Sequence, residues 1–287
     1  MREVRLTKRI EFAAAHRFWR HDWDEARNRA VFRKCANEHG HNYLLEVTVT
    51  GAVDEKTGMV VNLYDLKRVL KEILEELDHK HLNRDTPYFA DVIPTAEHVA
   101  GLLWKILDRR RPEIGRLEKI RLYEEEDWCA ELTARDVRPE QPWPVSASVM
   151  RRYQFPIAGQ PVARPPGKRQ SVLVGGDAQL DLTIRGALRR DTGMVADLEE
   201  LDRLVRAEIL DRLLLGDSVP KGSIGQAQDG EALVQAVWTV LEKALPAGDL
   251  ERIVLSLGTD LSYELNGQGC SGELPAEGQS APFTVLR

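Results

Sequence analysis

The chain is poor in the residues that would mark several common classes of protein. Only three of its 287 residues are cysteine: Cys35, Cys129 and Cys270. They are too few and too scattered for a disulfide framework, and a reducing, cytoplasmic setting is expected. Basic charge is not in excess. The formal charge is -6, which argues against a nucleic-acid grip. No apolar run approaches the ~20 residues of a membrane span. The charged start MREVRLTKRIEF lacks the apolar core of a signal peptide. Histidine is missing from everything after residue 98, all seven standing at 16, 21, 39, 41, 79, 81 and 98. Imidazole chemistry therefore belongs to the first half. What remains, 43% hydrophobic and 30% charged, is the composition of a globular protein with ample core.

One short stretch concentrates reactive side chains: Cys35-Ala36-Asn37-Glu38-His39-Gly40-His41-Asn42, followed by the strand-like run Tyr43 to Thr50. In an extended segment His39 and His41 point to the same face, about 6–7 Å apart along the strand. Two such imidazoles need little convergence to share a metal ion, with Cys35 close by.

The rest of the first half alternates strands and helices. Val4 to His16 reads as a strand and the charged stretch Arg17 to Lys34 as a long loop. Tyr43 to Gly51 is a strand, and Met59-Val60-Val61 resumes extended structure after a turn. Asn62 can cap a helix whose apolar face runs from Leu63 to Leu77. Thr95 can cap a second, with Val99, Leu102, Leu103, Ile106 and Leu107 buried. Leu117 to Glu124 and Trp128 to Thr133 read as a closing hairpin. This predicts an α+β layer, an antiparallel sheet with two helices on one face.

The second half repeats the first. LEVTVTGAVDEKTGMVVNLYDL (45 to 66) aligns without gaps with LDLTIRGALRRDTGMVADLEEL (180 to 201). Ala96-Glu97 through Trp104 resembles Gly230-Glu231 through Trp238, and Ile120 to Leu132 resembles Ile253 to Leu265. Two tandem domains are expected: 1-133, a proline-marked linker at 134-149, and 150-287. The chemistry is not repeated. His16 becomes Gly159, the Cys35-to-His41 segment has no counterpart in the shorter Gln160 to Gln179 stretch, Asp78-His79 falls among Leu213 to Leu215, and Glu124 becomes Leu257. The second domain is expected to be degenerate, without metal or catalytic residues.

These residues together resemble the 6-pyruvoyltetrahydropterin synthase / 6-carboxytetrahydropterin synthase family. The marks are FAAAHR (12 to 17), CANEHGHNY (35 to 43), TGMVVNLYDLK (57 to 67), LDHKHLN (77 to 83), PTAEHVA (94 to 100) and RLYE (121 to 124). The resemblance implies the tunnelling fold, an α+β unit of order ββααββ whose sheets close into a barrel by oligomerisation. It implies Zn2+ held by His16, His39 and His41, Cys35 as general base, Asp78 and His79 as a proton-relay pair, and Glu124 gripping the pterin ring. The implied substrate is 7,8-dihydroneopterin triphosphate. The three residues between Cys35 and His39 match the 6-carboxytetrahydropterin synthases of the queuosine pathway, whereas the tetrahydrobiopterin-pathway enzymes usually have five. TGMVVNLYDLK and PYFADV (87 to 92) look closer to the pyruvoyl branch.

Three histidines leave a fourth position open, as catalytic zinc requires. A cation beside Cys35 would favour its thiolate. Asp78-His79, at a helix C-terminus, suits either helix-end capping or a relay. Glu124 can be a pterin acceptor or a surface strand-end carboxylate. Cys129 and Cys270 are expected to be inert, His81 and His98 structural or solvent-facing, and His21 exposed. The expected protein is a zinc-dependent 6-carboxytetrahydropterin synthase yielding acetaldehyde and triphosphate. The alternatives are a 6-pyruvoyltetrahydropterin synthase and a non-catalytic pterin-binding scaffold. The expected partner besides substrate is its own copy: a trimer of tandem chains, a pseudo-hexamer in which first halves contact first halves and Asp78-His79 is supplied across the interface.

Overall fold

The computed structural model describes residues 3–157, 176–215, 229–245 and 249–267. Gly159, most of the Gln160 to Gln179 stretch, Cys270 and the tail beyond residue 267 lie outside the described residues. The chain separates into two compact units, residues 1–149 with 187–195, and residues 150–186 with 196–287.

The first unit is built on a long antiparallel pair, β1 (Glu3–His16) and β2 (His39–Ala52), joined over its whole length. Between them runs α1 (Glu25–Phe32), within the stretch Arg17 to Lys34 expected as a loop. Asp24 caps it, accepting a hydrogen bond from Arg27 N at 2.7 Å, and Glu25 pairs with Arg29 one turn on. Local capping and an i,i+4 ion pair make this helix, not an apolar stripe, so hydrophobic periodicity does not reveal it.

After β2 comes α2 (Leu63–Leu74), capped by Asn62, which accepts from Tyr64 N at 2.9 Å. It stops one turn short of Leu77. Met59 to Val61 form no strand. The chain then passes through a left-handed His79 (φ 57°) into the two-residue β3 (Lys80–His81) and the short α3 (Leu82–Asp85). Because β3 pairs parallel to β1, the sheet is mixed, not purely antiparallel as expected. α4 (Ala96–Arg109) is capped by Thr95 and followed by α5 (Arg111–Ile114). β4 (Arg116–Glu125) and β5 (Trp128–Thr133) form the closing hairpin. The strand order is β3-β1-β2-β4-β5.

The core lies between this sheet and the helices. Leu45, Val47 and Val49 of β2 share one face with Ile120 and Leu122 of β4 and Leu132 of β5. Leu66, Val69 and Leu70 of α2 and Val99, Leu103 and Leu107 of α4 are buried as well. Each such side chain contributes about 1.5–3 kcal/mol of hydrophobic stabilisation. The other face of the sheet is polar: Glu46 pairs with Arg9 at 2.7 Å, and Arg121 bonds Glu131 at 3.0 Å.

The second unit has β6 (Ser146–Ile157), which starts just ahead of it, then β7 (Gly176–Ala187), α6 (Leu198–Val205) and α7 (Asp211–Leu215) joined by a π-helical turn, α8 (Gly230–Ala244), β8 (Asp249–Leu257) and β9 (Leu261–Asn266). β7, β8 and β9 form an antiparallel sheet. Among the described residues no helix is long and apolar enough to cross a membrane.

Gly101, inside α4, lies against Pro144, and a Cβ there would overlap the proline ring. Gly→Ala inside a helix normally stabilises by about 0.5–1 kcal/mol. Here Gly101→Ala is expected to destabilise by about 1–3 kcal/mol through overpacking, measured by urea unfolding. A gain in stability would contradict this packing.

Candidate metal centre and active site

The β1–β2 register places His16 opposite His39, Ala14 opposite His41 and Phe12 opposite Tyr43. All six side chains lie on the helix-covered face. The methyl of Ala14 leaves room for the imidazole of His41, and below it Phe12 stacks on Tyr43 with ring centroids 5.0 Å apart. Glu124 reaches the same face from β4, where the pairing with β5 shifts between Tyr123 and Glu125. Ligand atoms of His16, His39, His41 and Glu124 all lie within 4.8 Å of one another. His16 is fully buried, and Glu124 is nearly so.

Two of the imidazoles are oriented by backbone carbonyls. His16 Nδ1 meets the Pro94 carbonyl at 2.9 Å, and His39 Nδ1 meets the Asn37 carbonyl at 2.8 Å. If both Nδ1 atoms carry the proton, both Nε2 atoms are free to coordinate. His41 Nε2 is buried with no hydrogen-bond partner. An orphaned buried nitrogen beside two tied imidazoles fits a divalent cation such as zinc. Glu124 Oε1 lies 3.0 Å from His16 Nε2 and 3.4 Å from His41 Nε2. Burial pushes His39 and His41 down, toward the neutral form a metal needs. Burial works against the charge of Glu124, but the imidazoles around it outweigh that penalty and hold its carboxyl below the usual range. His39 and His41 are thus biased toward the neutral form beside the negative charge of Glu124.

Glu124 is therefore among the side chains of His16, His39 and His41, not at an open strand end. Cys35 sits in a 3₁₀ turn (Arg33–Ala36) just ahead of His39. It packs against Phe18, Phe32, Ala36 and Ile93, while its carbonyl accepts from Phe18 N at 2.8 Å. It does not belong to the ligand cluster.

Asp78 and His79 are a pair, with His79 Nδ1 at 2.9 Å from Asp78 Oδ2. Asp78 Oδ1 accepts from Ala13 N at 2.8 Å, which is the main reason its carboxyl stays below the usual range. His79 points outward, its side chain 82% exposed. With Lys80 and His81 it lines an open cleft that also touches His41 and Asn42. The pair is thus held by β1 but stands outside the ligand cluster. His98 is structural: its Nδ1 meets the Ile93 carbonyl at 2.8 Å and its ring lies against Trp143. His81 is half-buried, and neither ring nitrogen has a hydrogen-bond partner.

One buried carboxyl has no role in the sequence reading. Glu97, in the first turn of α4, is 1% exposed and accepts a hydrogen bond from Val195 N at 2.9 Å. Burial raises its carboxyl to about 7, and the charge of Glu124 adds to the shift. In the sequence an acid two residues after a threonine cap reads as a dipole complement. Nothing there signals its burial.

Comparisons place these features among known proteins. The family model described as 6-pyruvoyl tetrahydropterin synthase matches residues 5–135. The chain is 46% identical over 125 residues to 6-pyruvoyl tetrahydrobiopterin synthase of Pongo abelii, covering 42% of this chain and 86% of that one. It is 29% identical over 140 residues to 6-carboxy-5,6,7,8-tetrahydropterin synthase of Aquifex aeolicus, covering 41% and 86%. A solved structure, 6-pyruvoyl tetrahydropterin synthase of Caenorhabditis elegans, aligns with a TM-score of 0.40 and 31% identity over 44% of this chain and 91% of that one.

Glu97 gives a signed prediction. Its folded-state value of about 7 exceeds the ordinary carboxyl value of 4.5. Between those values the native protein keeps a proton that the unfolded chain has released, so stability falls as pH rises through this window. The loss is at most ~3 kcal/mol. Glu97→Gln retains an acceptor for Val195 N and abolishes this contribution. Its stability relative to the parent is expected to increase from pH 4.5 to pH 7.5 in urea unfolding. Parallel pH profiles would contradict the assignment.

Proposed function

The chain belongs to the 6-pyruvoyl tetrahydropterin synthase family, and from that membership we propose that it is a zinc-dependent lyase acting on 7,8-dihydroneopterin triphosphate. The observation that carries this reading is the convergence of His16, His39, His41 and Glu124 at the end of β1 and β2. His16, His39 and His41 would hold the ion. When bound, zinc supplies Lewis acidity that lowers the pKa of substrate side-chain hydroxyls.

The protein's own groups do the rest. Cys35, one turn before the ligands, is the proposed base that takes and returns the proton on the side-chain carbon. Asp78 and His79 form the proposed relay that moves the hydroxyl proton. Because the pair is exposed, it would serve the cluster of a neighbouring chain. The aminopyrimidinone edge of the pterin would donate to Glu124 through the oxygen that does not face His16. Phe18 and Tyr43 are buried against the His16 ring and would shield it from bulk solvent. These proton transfers shift unsaturation from ring to side chain, so the substrate is its own reductant. Loss of triphosphate, then addition of one water with cleavage of the side-chain carbon–carbon bond, would give 6-carboxytetrahydropterin and acetaldehyde, a step toward queuosine.

The three-residue interval between Cys35 and His39 supports the carboxy product. The second reading, a 6-pyruvoyltetrahydropterin synthase, is favoured by the 46% identity to a protein of that type. In either case we read residues 1-133 as the catalytic domain, 134-149 as a linker and 150-287 as a degenerate duplicate. The proposed setting is the cytoplasm, and the proposed assembly is a homo-oligomer with three-fold symmetry, closing the sheets into a barrel.

The test is incubation of the zinc-loaded protein with 7,8-dihydroneopterin triphosphate, with acetaldehyde assayed beside the pterin product. Acetaldehyde in step with 6-carboxytetrahydropterin is expected. Pyruvoyl product without acetaldehyde would support the second reading, and turnover to neither would favour a pterin-binding scaffold. Cys35→Ala should lower kcat by about 10²–10⁴-fold, and unchanged activity would overturn the mechanism.

A further inference from the structure

Apart from the imidazole cluster, the first unit holds a second cleft, of about 710 Å³. That size suits a small-molecule site. None of His16, His39, His41 and Glu124 lines it. Its apolar walls include Trp19, Val92, Ile93, Trp143 and Leu188, and both indoles are half-buried.

Two sides of the cleft are fixed in place. On one side, the fully buried Asn28 holds the loop after β1. Its Oδ1 accepts from Arg20 N at 2.7 Å, and its Nδ2 donates to the carbonyls of Arg20 and Trp23 at 2.9 and 3.2 Å. On the other side is the turn from Arg189 to Met194. Arg189 N donates to Met194 O at 3.0 Å, and Gly193 N donates to Arg189 O at 2.8 Å. Gly193 is left-handed at φ 73°, and its carbonyl accepts from Thr95 Oγ1 at 3.1 Å, which anchors the turn on the start of α4. Arg20 ties the two sides together, its Nη1 donating to the Asp191 carbonyl at 3.0 Å. The walls are thus set by the protein's own hydrogen bonds.

The charges of the lining are unevenly used. Arg20 and Asp22 satisfy one another through two hydrogen bonds, at 2.8 and 2.6 Å. Asp191 stands beside Arg20 and favours its charge. Arg189, Arg190 and Asp91 are exposed and, among the described residues, have no ion-pair or side-chain hydrogen-bond partner. Two uncommitted guanidiniums side by side suit a phosphate, whose oxygens match their forked N–H donors. An uncommitted carboxylate suits an amine, and indole walls suit a flat ring. We propose that this cleft binds a purine nucleotide. The base would lie along Trp19 and Trp143 with its exocyclic amine toward Asp91, and the phosphate would meet Arg189 and Arg190. The occupant would touch Ile93, which packs in the apolar cluster beside Cys35 and precedes Pro94, the residue whose carbonyl meets His16. The inference does not depend on the pterin chemistry.

The test is isothermal titration calorimetry of the full chain with AMP. Adenine lacks the paired N–H edge that Glu124 would take from a pterin, so AMP does not report on that site. Saturation at one AMP per chain is expected, with Kd below about 1 mM. Adenosine and inorganic phosphate should each bind at least about 10-fold more weakly, because each lacks half of the recognised groups. Arg189→Ala with Arg190→Ala, both at exposed positions, should weaken AMP at least about 10-fold and leave urea unfolding unchanged. No saturable binding of AMP, phosphate alone binding as tightly as AMP, or a double variant that keeps the parent's affinity would each overturn the inference.

Discussion

The candidate site depends on the pairing register of β1 and β2. That register sets His16 directly across from His39 and leaves Ala14 across from His41. A slip of one residue would turn His16 to the opposite face of the sheet and disperse the cluster. Fourteen paired positions fix the register, and so does the contrast between a core face of Leu45, Val47 and Val49 and a polar face carrying Arg9 and Glu46. The same hydrophobic burial that stabilises the fold thereby positions three metal-ligand candidates. The carbonyls of Pro94 and Asn37 then orient two of the rings.

Electrostatics follow from that placement. A fully buried His16 beside a nearly buried Glu124 would be a costly arrangement if both were left without partners. Here the carboxylate and the imidazoles stabilise one another, and the unpartnered His41 Nε2 marks the position where a cation would complete the set. Cys35 is held in an apolar setting, packed against the cluster of Phe18, Phe32, Ala36 and Ile93. Asp78 and His79 are pre-arranged differently, by the backbone of β1 and a left-handed residue, and face outward.

Much of this was legible in the sequence because it rests on local patterns. The alternation in β2, the Asn62 and Thr95 caps and the closing hairpin all appear where strand and helix periodicities predict them. Helix α1 escaped because its stability comes from Asp24 and an ion pair, while its exposed face carries no apolar rhythm. The parallel β3 escaped because two residues are too few for a pattern. The position of Glu124 among the imidazoles depends on a shift in strand pairing that no spacing reveals. Glu97 was hidden for a different reason. Its partner, Val195, lies 98 positions away, in a half whose lost histidines suggest a scaffold alone. In the fold that half lends the first unit a turn that covers Glu97 and secures the start of α4.

The account stands or falls on whether the cluster binds a metal ion through these imidazoles. Cobalt(II) titration of metal-free protein, followed by visible absorption, tests this directly, since tetrahedral and five-coordinate cobalt absorb far more strongly than the hydrated ion. The prediction is saturation at one ion per chain, displacement by zinc, and loss of tight binding in His41→Ala with the fold intact by circular dichroism. Failure of the parent protein to take up cobalt or zinc, or undiminished binding by His41→Ala, would contradict it.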